Sequence, residues 1–293
     1  MADFGEYQLL DCGDGRKCER FAGYVVDRPA PGIDRPPAHP VTEWQADARY
    51  ERGGGAKGEW QVRRQPPDDW SLTAGVVRLE LRLAAGGQVG VFPEQQENWD
   101  WLYRTVRAER RPLRVLNLFA YTGGATLAAA AGGTPSAPVT TVHLDGTKAA
   151  VAWAKRNATL SGLVNRPMYW LVDDTMTFLR REARRRRSYH GIILDPPAYG
   201  RSPKGDWQLS RDLPDLLAAA RAVLAQDPAF MLLTMHAPDL SLGEVREMLE
   251  TAGWNGVLSR NELCLQPASG AAPLTAGLCW RMTFPTAAGV ASV

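Results

Sequence analysis

The stretch that decides the fold is GIILDPPAYG, residues 191–200, where an apolar segment runs into a carboxylate and then into two prolines. Pro196 and Pro197 have a fixed φ and no backbone N–H, so a central strand cannot continue through them. Asp195 is therefore held at the end of a strand. Because open α/β sheets bind their ligands at the carboxyl ends of the strands, this segment predicts a functional carboxylate at that edge.

The chain on both sides of this stretch alternates between apolar strands and helical segments. The alternation predicts a parallel sheet with helices on both faces, an α/β fold that is doubly wound and Rossmann-like. The last two predicted strands, NGVLSRNELCL and GLCWRMTF, follow each other directly and predict an antiparallel edge hairpin. The other predicted strands are RVLNLF (114–119), VTTVHL (139–144), MYWLV (168–172), GIILD (191–195) and FMLLTM (230–235).

The first hundred residues lack this alternation. RPAPGIDRPPAHP (28–40) is a proline-rich connector, and VVRLELRLAAGG (76–87) alternates like a half-buried strand that enters a hairpin, with QVGVFP as its return. We therefore predict two domains, a small β-rich N-terminal domain over residues 1–100 and a catalytic α/β domain over residues 101–293.

Composition indicates a globular protein, with 45% hydrophobic and 23% charged residues among 293. No apolar run approaches the roughly 20 residues of a membrane span, and the N-terminus lacks the features of a signal peptide. We expect a cytoplasmic protein with no membrane association. The four cysteines form no CxxC pair, which indicates reduced thiols rather than disulfides or a zinc site.

Charge is unevenly distributed along the chain. Residues 1–100 carry 12 Lys and Arg against 17 Asp and Glu, whereas the remainder carries 22 against 15. The basic C-terminal part is compatible with a polyanionic partner.

The first strand of the α/β part ends in VLNLFAYTGG, residues 115–124. A turn of small residues lets a ligand approach the backbone, and the next helix offers free N–H groups. The turn is not a GxGxxG motif, because only Gly123 and Gly124 are present. It is therefore less suited to a pyrophosphate.

Acidic residues end the neighbouring strands. Asp145 follows about 20 residues later, where an acid accepts hydrogen bonds from ribose hydroxyls in nucleotide sites. Asp173 and Asp174 end the third strand, where an acid can accept from an adenine amino group. Any one of these acids can be merely a helix N-cap. Together with Asp195 they indicate a ligand site along one edge of the sheet.

In this order and spacing, VLNLFAYTGG, HLD, VDDT and LDPPAYG resemble the class I S-adenosylmethionine-dependent methyltransferases. More narrowly, they resemble the large-subunit ribosomal RNA methyltransferases that include cytosine carbon-5 enzymes, whose members show N-x-F-x-Y-T-G-G and D-P-P-x-F. VGVFPEQQENWDWL (89–102) is similar to the family segment G-x-F-x-D-Q-R-x-N, with Glu94 at the Asp position and Gln96 at the Arg position. The resemblance covers residues 88–285.

The resemblance implies that S-adenosylmethionine is the cofactor and assigns its contacts. Its methionine part would lie along residues 119–123, Asp145 would bind the ribose hydroxyls, and Asp174 with the Thr175 backbone would bind the adenine edge. Gln95 would close over the cofactor from the preceding segment. The implied cofactor-binding residues are Gln95, Phe119, Tyr121, Thr122, Gly123, Asp145, Asp174, Thr175 and Asp195.

The resemblance implies that Asp195 faces the methionine amino group and the reaction centre, and we predict Asp195, Pro196, Pro197 and Tyr199 as catalytic residues. The carboxylate or a proline carbonyl would hold an amine acceptor, and Tyr199 would either stack on a base or remain a surface tyrosine. Because the sulfonium already activates the methyl group, alignment is the main requirement and no metal is needed. His236, at the end of strand five, is either a general base or simply hydrogen-bonded.

One departure from the family concerns the acceptor atom. Carbon-5 methylation of a pyrimidine requires a cysteine thiolate, and the family's cysteine-bearing enzymes place it in L-L-T-x-S-C-S after strand five. This chain reads LLTMHAPDL, with Ala237 at that position, and we expect no cysteine at a strand end. The sequence therefore predicts direct transfer to a heteroatom, most simply a nitrogen.

The leading hypothesis is a methyltransferase that acts on RNA, with ribosomal RNA as the substrate. A protein or small-molecule acceptor is the alternative, favoured by the acidic first hundred residues and by the lack of a recognisable additional RNA-binding domain. A nicotinamide-dependent oxidoreductase is disfavoured by the incomplete glycine fingerprint, and a non-catalytic RNA-binding scaffold by the acids at every cofactor position.

Two further segments have open assignments. RREARRRR (180–187) is either a solvated helix end that complements the helix dipole or a footprint for RNA phosphates. GRSPKGDWQLSRD (200–212), with Arg201, Lys204 and Trp207, reads as a flexible loop that acts as a lid or contacts substrate.

Overall fold

The structure is a computed structural model that describes residues 6–53, 58–202, 205–236 and 240–284. The strands within these ranges are β1 (Tyr7–Gly13), β2 (Arg16–Phe21), β3 (Tyr24–Pro29), β4 (Ala48–Glu51), β5 (Glu59–Val62), β6 (Ser71–Ala74), β7 (Val77–Glu80), β8 (Leu113–Leu118), β9 (Val139–Asp145), β10 (Met168–Val172), β11 (Gly191–Leu194), β12 (Tyr199–Ser202), β13 (Gly205–Gln208), β14 (Phe230–Met235), β15 (Val257–Leu265) and β16 (Leu274–Thr283). The helices are α1 (Gln96–Ala108), α2 (Gly124–Gly132), α3 (Lys148–Leu160), α4 (Thr175–Arg184), α5 (Leu209–Arg221) and α6 (Leu242–Thr251).

The central sheet has seven strands in the order β10-β9-β8-β11-β14-β16-β15. Strands β8 to β11 and β14 are parallel, whereas β16 runs antiparallel to both β14 and β15. This arrangement confirms the predicted doubly wound, mostly parallel fold with an antiparallel edge hairpin. Leu194 lies opposite both Leu118 and Leu233, so the three central strands end level with one another.

The side chains of β11 alternate between the two faces of the sheet and pack into a different hydrophobic cluster on each face. Ile192 and Leu194 belong to the cluster that includes Leu217 of α5. Ile193 points the opposite way, as the period of a strand requires, and belongs to the cluster that includes Leu127 of α2. A strand buried on both faces explains why GIIL is continuously apolar rather than alternating.

The N-terminal part is β-rich, as predicted. Strands β1 to β5 form one sheet, and β6 pairs with β7 in a separate hairpin. Phe21, Trp70 and Leu79 are buried in the same hydrophobic cluster as Leu127 and Ile193. Apolar packing is thus continuous from this part of the chain to one face of the central sheet.

Three local expectations differ from the structure. The strand predicted from residue 76 pairs with β6 rather than with QVGVFP, although Arg82 and Ala84 still donate backbone hydrogen bonds to the Val89 and Gln88 carbonyls. Helix α1 went unpredicted because charged residues interrupt its apolar positions. Residues 200–212, interpreted as a flexible loop, hold the hairpin β12–β13 and the start of α5. No helix in the described part of the chain is both long enough and apolar enough to span a bilayer.

Candidate cofactor and reaction site

The carboxyl edge of the central sheet carries a polar or aromatic residue at or just after the end of each parallel strand. Phe119, Asp145, Asp173, Asp195 and His236 lie at the ends of β8, β9, β10, β11 and β14 respectively. All five line one cleft of about 420 Å³. This volume is within the usual range for a small-molecule site.

The turn between β8 and α2 has an unusual backbone. Phe119, Tyr121 and Gly123 have φ values of 58°, 46° and 94°, in the left-handed region that non-glycine residues rarely adopt. Two hydrogen bonds to other segments hold the turn in place. The Thr122 hydroxyl donates to the Gly90 carbonyl at 2.7 Å, and the Ala120 N–H donates to the Leu144 carbonyl. The backbone is therefore presented to the cleft in a conformation imposed by its surroundings.

Asp145 links this turn to the next helix. Its Oδ2 accepts from the Tyr121 N–H at 2.9 Å, and its Oδ1 accepts from both the N–H and the hydroxyl of Thr147. The N-cap of α3 is Thr147, whose hydroxyl accepts from the Ala150 N–H. Asp145 is thus not itself the helix cap, and its half-buried carboxylate faces the cleft.

Asp174, by contrast, is a helix cap. Its Oδ1 accepts from the N–H and the hydroxyl of Thr177, at 2.9 and 2.5 Å, at the start of α4. Asp173 is held by its own contacts, since its Oδ2 lies 2.6 Å from Nη1 of Arg181. The capping alternative is therefore correct for Asp174, which lines the cleft together with the buried Thr175.

Asp195 is fixed by its neighbour on β14. The Thr234 hydroxyl donates to its Oδ1 at 2.5 Å, and Nε2 of His236 lies 3.5 Å from the same oxygen. Sequence reasoning missed Thr234, whose signal was a hydroxyl in the otherwise apolar strand FMLLTM. The carboxylate is thus oriented both by the proline-terminated strand and by the adjacent strand.

The diproline forms one wall, and Trp207 of β13 covers it. Nε1 of Trp207 donates to the Pro197 carbonyl at 2.7 Å, and its ring lies 5.8 Å from that of Phe119. Pro196 and Pro197 both line the cleft. Tyr199 is 67% exposed on β12 and is not among the described residues that line it.

His236 lies between the carboxylates of Asp195 and Glu94. Burial opposes the charged form, but the hydrogen bond to Asp195 and the charges of Asp195 and Glu94 outweigh it and raise the pKa of His236 to about 9. Its Nδ1 donates to the Ala276 carbonyl at 2.7 Å. A pKa above neutrality favours the protonated imidazole, which cannot accept a proton, so this shift disfavours the general-base role.

Gln95 approaches His236 from the segment before α1. Its Nε2 lies 3.4 Å from Nε2 of His236, while its Oε1 accepts from Nδ2 of Asn98 at 2.8 Å. Asn98 went unnoticed as a site residue, although it occupies the last position of the family segment G-x-F-x-D-Q-R-x-N. Gln95 lines a narrower cavity of about 50 Å³ beneath the turn, with Thr122 and Gly123.

The structure thus brings together nearly all the predicted residues. Those that line one of the two cavities are Gln95, Phe119, Tyr121, Thr122, Gly123, Asp145, Asp174, Thr175, Asp195, Pro196 and Pro197. Tyr199 is the exception. Ala237 and Lys204 lie outside the described residues, as does the side chain of Arg201.

Most of the arginine run lies away from the cleft, although Arg181 near its start pairs with the cleft residue Asp173. Helix α4 begins at the cleft with its Asp174 cap and runs back along the sheet, so Arg184 and the residues after it lie far from the site. Arg185 and Arg187 are 3.6 and 3.7 Å from the buried carboxylate of Glu182. This placement favours a solvated helix end over a substrate contact at the cleft.

Cysteine placement corrects one expectation. Cys264 is the residue before the last of β15, at an edge strand of the sheet, so a cysteine does lie at a strand end. The other three cysteines are buried, and Cys264 is exposed. None of the four is among the residues lining either cavity.

Comparison with known proteins assigns the family. A sequence model described as S-adenosylmethionine-dependent methyltransferase matches residues 45–251. The chain belongs to the S-adenosylmethionine-dependent methyltransferase family. A crystal structure of a SAM-dependent methyltransferase from Agrobacterium tumefaciens is 36% identical, with a TM-score of 0.84 over 95% of this chain and 90% of that one. A candidate SAM-dependent methyltransferase from Streptococcus mutans, 16% identical with a TM-score of 0.73 over 95% of this chain and 75% of that one, shares the fold.

The curated relatives are much longer than this chain, and each matches only part of it. Two of them carry the name ribosomal RNA large subunit methyltransferase K/L. The protein from Methylococcus capsulatus is 38% identical over 125 residues, which cover 42% of this chain and 16% of the relative. The protein from Pseudomonas paraeruginosa is 33% identical over 181 residues, which cover 60% and 23%. The chain therefore spans less than a quarter of the length of these relatives.

Proposed function

We propose that the protein transfers the methyl group of S-adenosylmethionine to RNA, with large-subunit ribosomal RNA as the substrate and a heteroatom as the acceptor. The observation that carries the proposal is the similarity to relatives named ribosomal RNA large subunit methyltransferase K/L. Family membership supports the cofactor, and the chemistry of the cleft supports the mode of transfer.

The cleft suits a cationic nucleoside cofactor. Its described lining includes four carboxylates, no Lys or Arg, and His236 as its one group that can be cationic; the carboxylates are those of Asp145, Asp173, Asp174 and Asp195. A sulfonium and an ammonium are stabilised by such a lining, whereas the pyrophosphate of a nicotinamide dinucleotide would meet like charges. This composition supports S-adenosylmethionine and disfavours the oxidoreductase alternative.

The residues that would hold the cofactor follow from these positions. Asp145 would accept from ribose hydroxyls, Thr175 and Asp174 would flank the adenine, and the turn at 119–123 would contact the methionine part. Gln95, which lines the adjoining narrower cavity, would close over the cofactor from the segment before α1. The cofactor supplies a methyl group already activated by its sulfonium.

The chain's own contribution to the reaction is alignment and exclusion of water. Asp195, oriented by Thr234, can accept a hydrogen bond from an acceptor amine and hold its lone pair toward the methyl carbon. Pro196, Pro197 and Trp207 close the wall around that carboxylate. Because none of the cysteines lines the cavities, the proposed transfer is direct and requires no covalent adduct to the base.

The test is transfer of tritiated methyl from S-adenosylmethionine to 23S ribosomal RNA from a strain that lacks the gene. We expect label in this RNA and none in RNA from the parent strain, where the site is already methylated. Mass mapping of nuclease fragments then identifies the atom. Label that enters protein but not RNA would overturn the RNA substrate, and a carbon-5 product would overturn direct transfer to a heteroatom.

Two accompanying measurements address the alternatives. RNA binding should weaken steeply as salt rises, because released counterions dominate the affinity. The variant Cys264→Ser should methylate RNA at the wild-type rate. The division into domains 1–100 and 101–293 and a cytoplasmic location complete the proposal, and fractionation of cells expressing the tagged protein checks the latter.

A further inference from the structure

A second cleft, of about 530 Å³, adjoins the cofactor cleft. Most of its lining comes from residues 28–33, 86–88 and 274–278, and single residues of other segments complete it. It shares only Phe92 and His236 with the cofactor cleft, and these two rings lie 6.0 Å apart. The two clefts therefore meet at one narrow boundary, beside Asp195.

Glu94 lines this second cleft and is an unsatisfied buried acceptor. The residue is only 9% exposed, and its Oε2 accepts no hydrogen bond from any residue that the structure describes. Its Oε1 lies 4.0 Å from Nδ1 of His236, which already donates to the Ala276 carbonyl. Because a buried carboxylate oxygen without a donor is costly, its retention here indicates a donor that arrives with a ligand.

The charge of the second cleft is the reverse of the first. Lys17, Arg28 and Arg52 contribute to its lining, and Glu94 is its only described carboxylate. Glu19 neutralises part of this charge, since it pairs with Lys17 at 3.2 Å and with Arg28 at 2.5 Å. Arg52 is exposed at the rim. A ligand that combines a phosphate with an N–H donor matches this lining.

We infer that the second cleft binds the acceptor nucleotide, with an exocyclic amino group of its base donating to Glu94 and its phosphate beside Lys17 and Arg52. The inference rests on the proposed function and assigns the substrate class of the same site. A nucleotide placed in this way reaches the cofactor cleft at Phe92 and His236. A base in such a pocket is unstacked from its neighbours, as enzymes that modify bases require.

The carboxylate of Glu94 discriminates among bases. It is an acceptor only, so it pairs with the amino group of cytosine, adenine or guanine. Uracil presents carbonyl oxygens on both sides of its single exchangeable N–H, and a carboxylate repels them. The acceptor base is therefore one that carries an amino group.

The test is binding of nucleoside monophosphates to the full chain saturated with S-adenosylhomocysteine, followed by ligand-observed NMR. Three matched pairs differ in the amino group, CMP against UMP, GMP against IMP and AMP against IMP. A charge-assisted hydrogen bond is worth about 1.5–3 kcal/mol, so we expect the amino member of one pair to bind roughly 10- to 100-fold more tightly. Glu94→Gln should reduce that preference about tenfold, and Glu97→Gln on the exposed face of α1 should leave it unchanged.

The possible outcomes of this test separate failure of the inference from failure of the proposed function. Equal affinities within all three pairs, no binding of any monophosphate, or an undiminished preference in Glu94→Gln would each overturn the inference. Calorimetry with S-adenosylhomocysteine shows whether Glu94→Gln is folded, and the wild-type comparison of ligand pairs requires no variant. Failure of the wild type to bind S-adenosylhomocysteine would instead overturn the proposed function itself.

Discussion

The side-chain oxygen of Asn98 accepts hydrogen bonds from both Nε and Nη2 of Arg281, at 2.9 and 2.7 Å. Because a guanidinium only donates, this contact fixes the orientation of the Asn98 amide. Its Nδ2 then donates to Oε1 of Gln95, and the Gln95 amide is oriented in turn. As a result of these hydrogen bonds, Nε2 of His236 faces the Gln95 amide N–H on one side and the Asp195 carboxylate on the other.

The first prediction concerns Asn98, which links Arg281 to Gln95 in this series of hydrogen bonds. In Asn98→Ala, Gln95 is free to rotate and present Oε1 to the protonated imidazole, so the pKa of His236 should rise above its wild-type value. NMR titration of the histidine ring measures it. The variant should also lower the free energy of unfolding by about 1–3 kcal/mol, because buried partners lose their hydrogen bonds. Glu97→Ala, one residue earlier and exposed, is the control, and an unchanged or lower pKa would contradict the prediction.

A second prediction concerns pH. Asp195 and Glu94 face His236, and its pKa of about 9 lies above the ordinary value of about 6.5. The stabilisation from its charge is therefore complete below about pH 6.5 and is lost as pH rises through 9. It amounts to no more than about 3–4 kcal/mol, since one pKa unit corresponds to about 1.4 kcal/mol.

The variant His236→Gln isolates this contribution. Urea unfolding at pH 6, 8 and 10 should show the wild type more stable than the variant at pH 6, with the difference shrinking steadily toward pH 10. A difference that stays constant with pH would show that the imidazole acts through packing alone.

Much of the fold and part of the site could be predicted because the relevant signals are local. Strand-terminating prolines placed Asp195, and the carboxyl ends of parallel strands necessarily meet at one edge, which brought Asp145 and Asp174 to it. The edge hairpin followed from two successive strands without a helix between them.

The rest depends on contacts between distant segments. Arg281 reaches Asn98 across 183 residues, and Thr234 reaches Asp195 across 39, so no local pattern reveals either pair. The charge of His236 depends on carboxylates from two other segments of the chain. Helix α1 was missed because only Trp99 and a few further apolar positions mark its buried face, amid charged residues.

A third prediction tests the ribose contact. Asp145→Ala should weaken binding of S-adenosylhomocysteine roughly 100-fold or more, because it removes a charged acceptor and also the anchor of the Tyr121 N–H. Isothermal calorimetry measures the affinity. Asp227→Ala, an exposed acid paired with Arg111 at the opposite edge of the sheet, should bind as the wild type does. Equal affinities for the two variants would remove Asp145 from the cofactor site.

The last prediction concerns the buried ion pair of the N-terminal sheet. Glu19 is fully buried and accepts from Nε and Nη2 of Arg28 at 2.5 and 3.1 Å and from the Tyr7 hydroxyl at 3.0 Å. Burial alone would raise its pKa, but the charges of Arg28 and Lys17 outweigh burial and lower the pKa of Glu19 to about 2. Its stabilisation is therefore present above the ordinary value of about 4.5 and is lost as pH falls through 2.

Glu19→Gln leaves the Arg28 charge buried without its partner, so the variant should lose about 3–5 kcal/mol of unfolding free energy at pH 7. The double variant Glu19→Leu, Arg28→Met removes both charges and should recover most of that loss, since apolar side chains of similar volume replace a buried pair well. Urea denaturation at pH 7 and pH 3 measures both effects, and the gap between the wild type and Glu19→Gln should narrow at pH 3. A double variant no more stable than Glu19→Gln would show that packing around the pair, rather than its charge balance, determines the stability of this sheet.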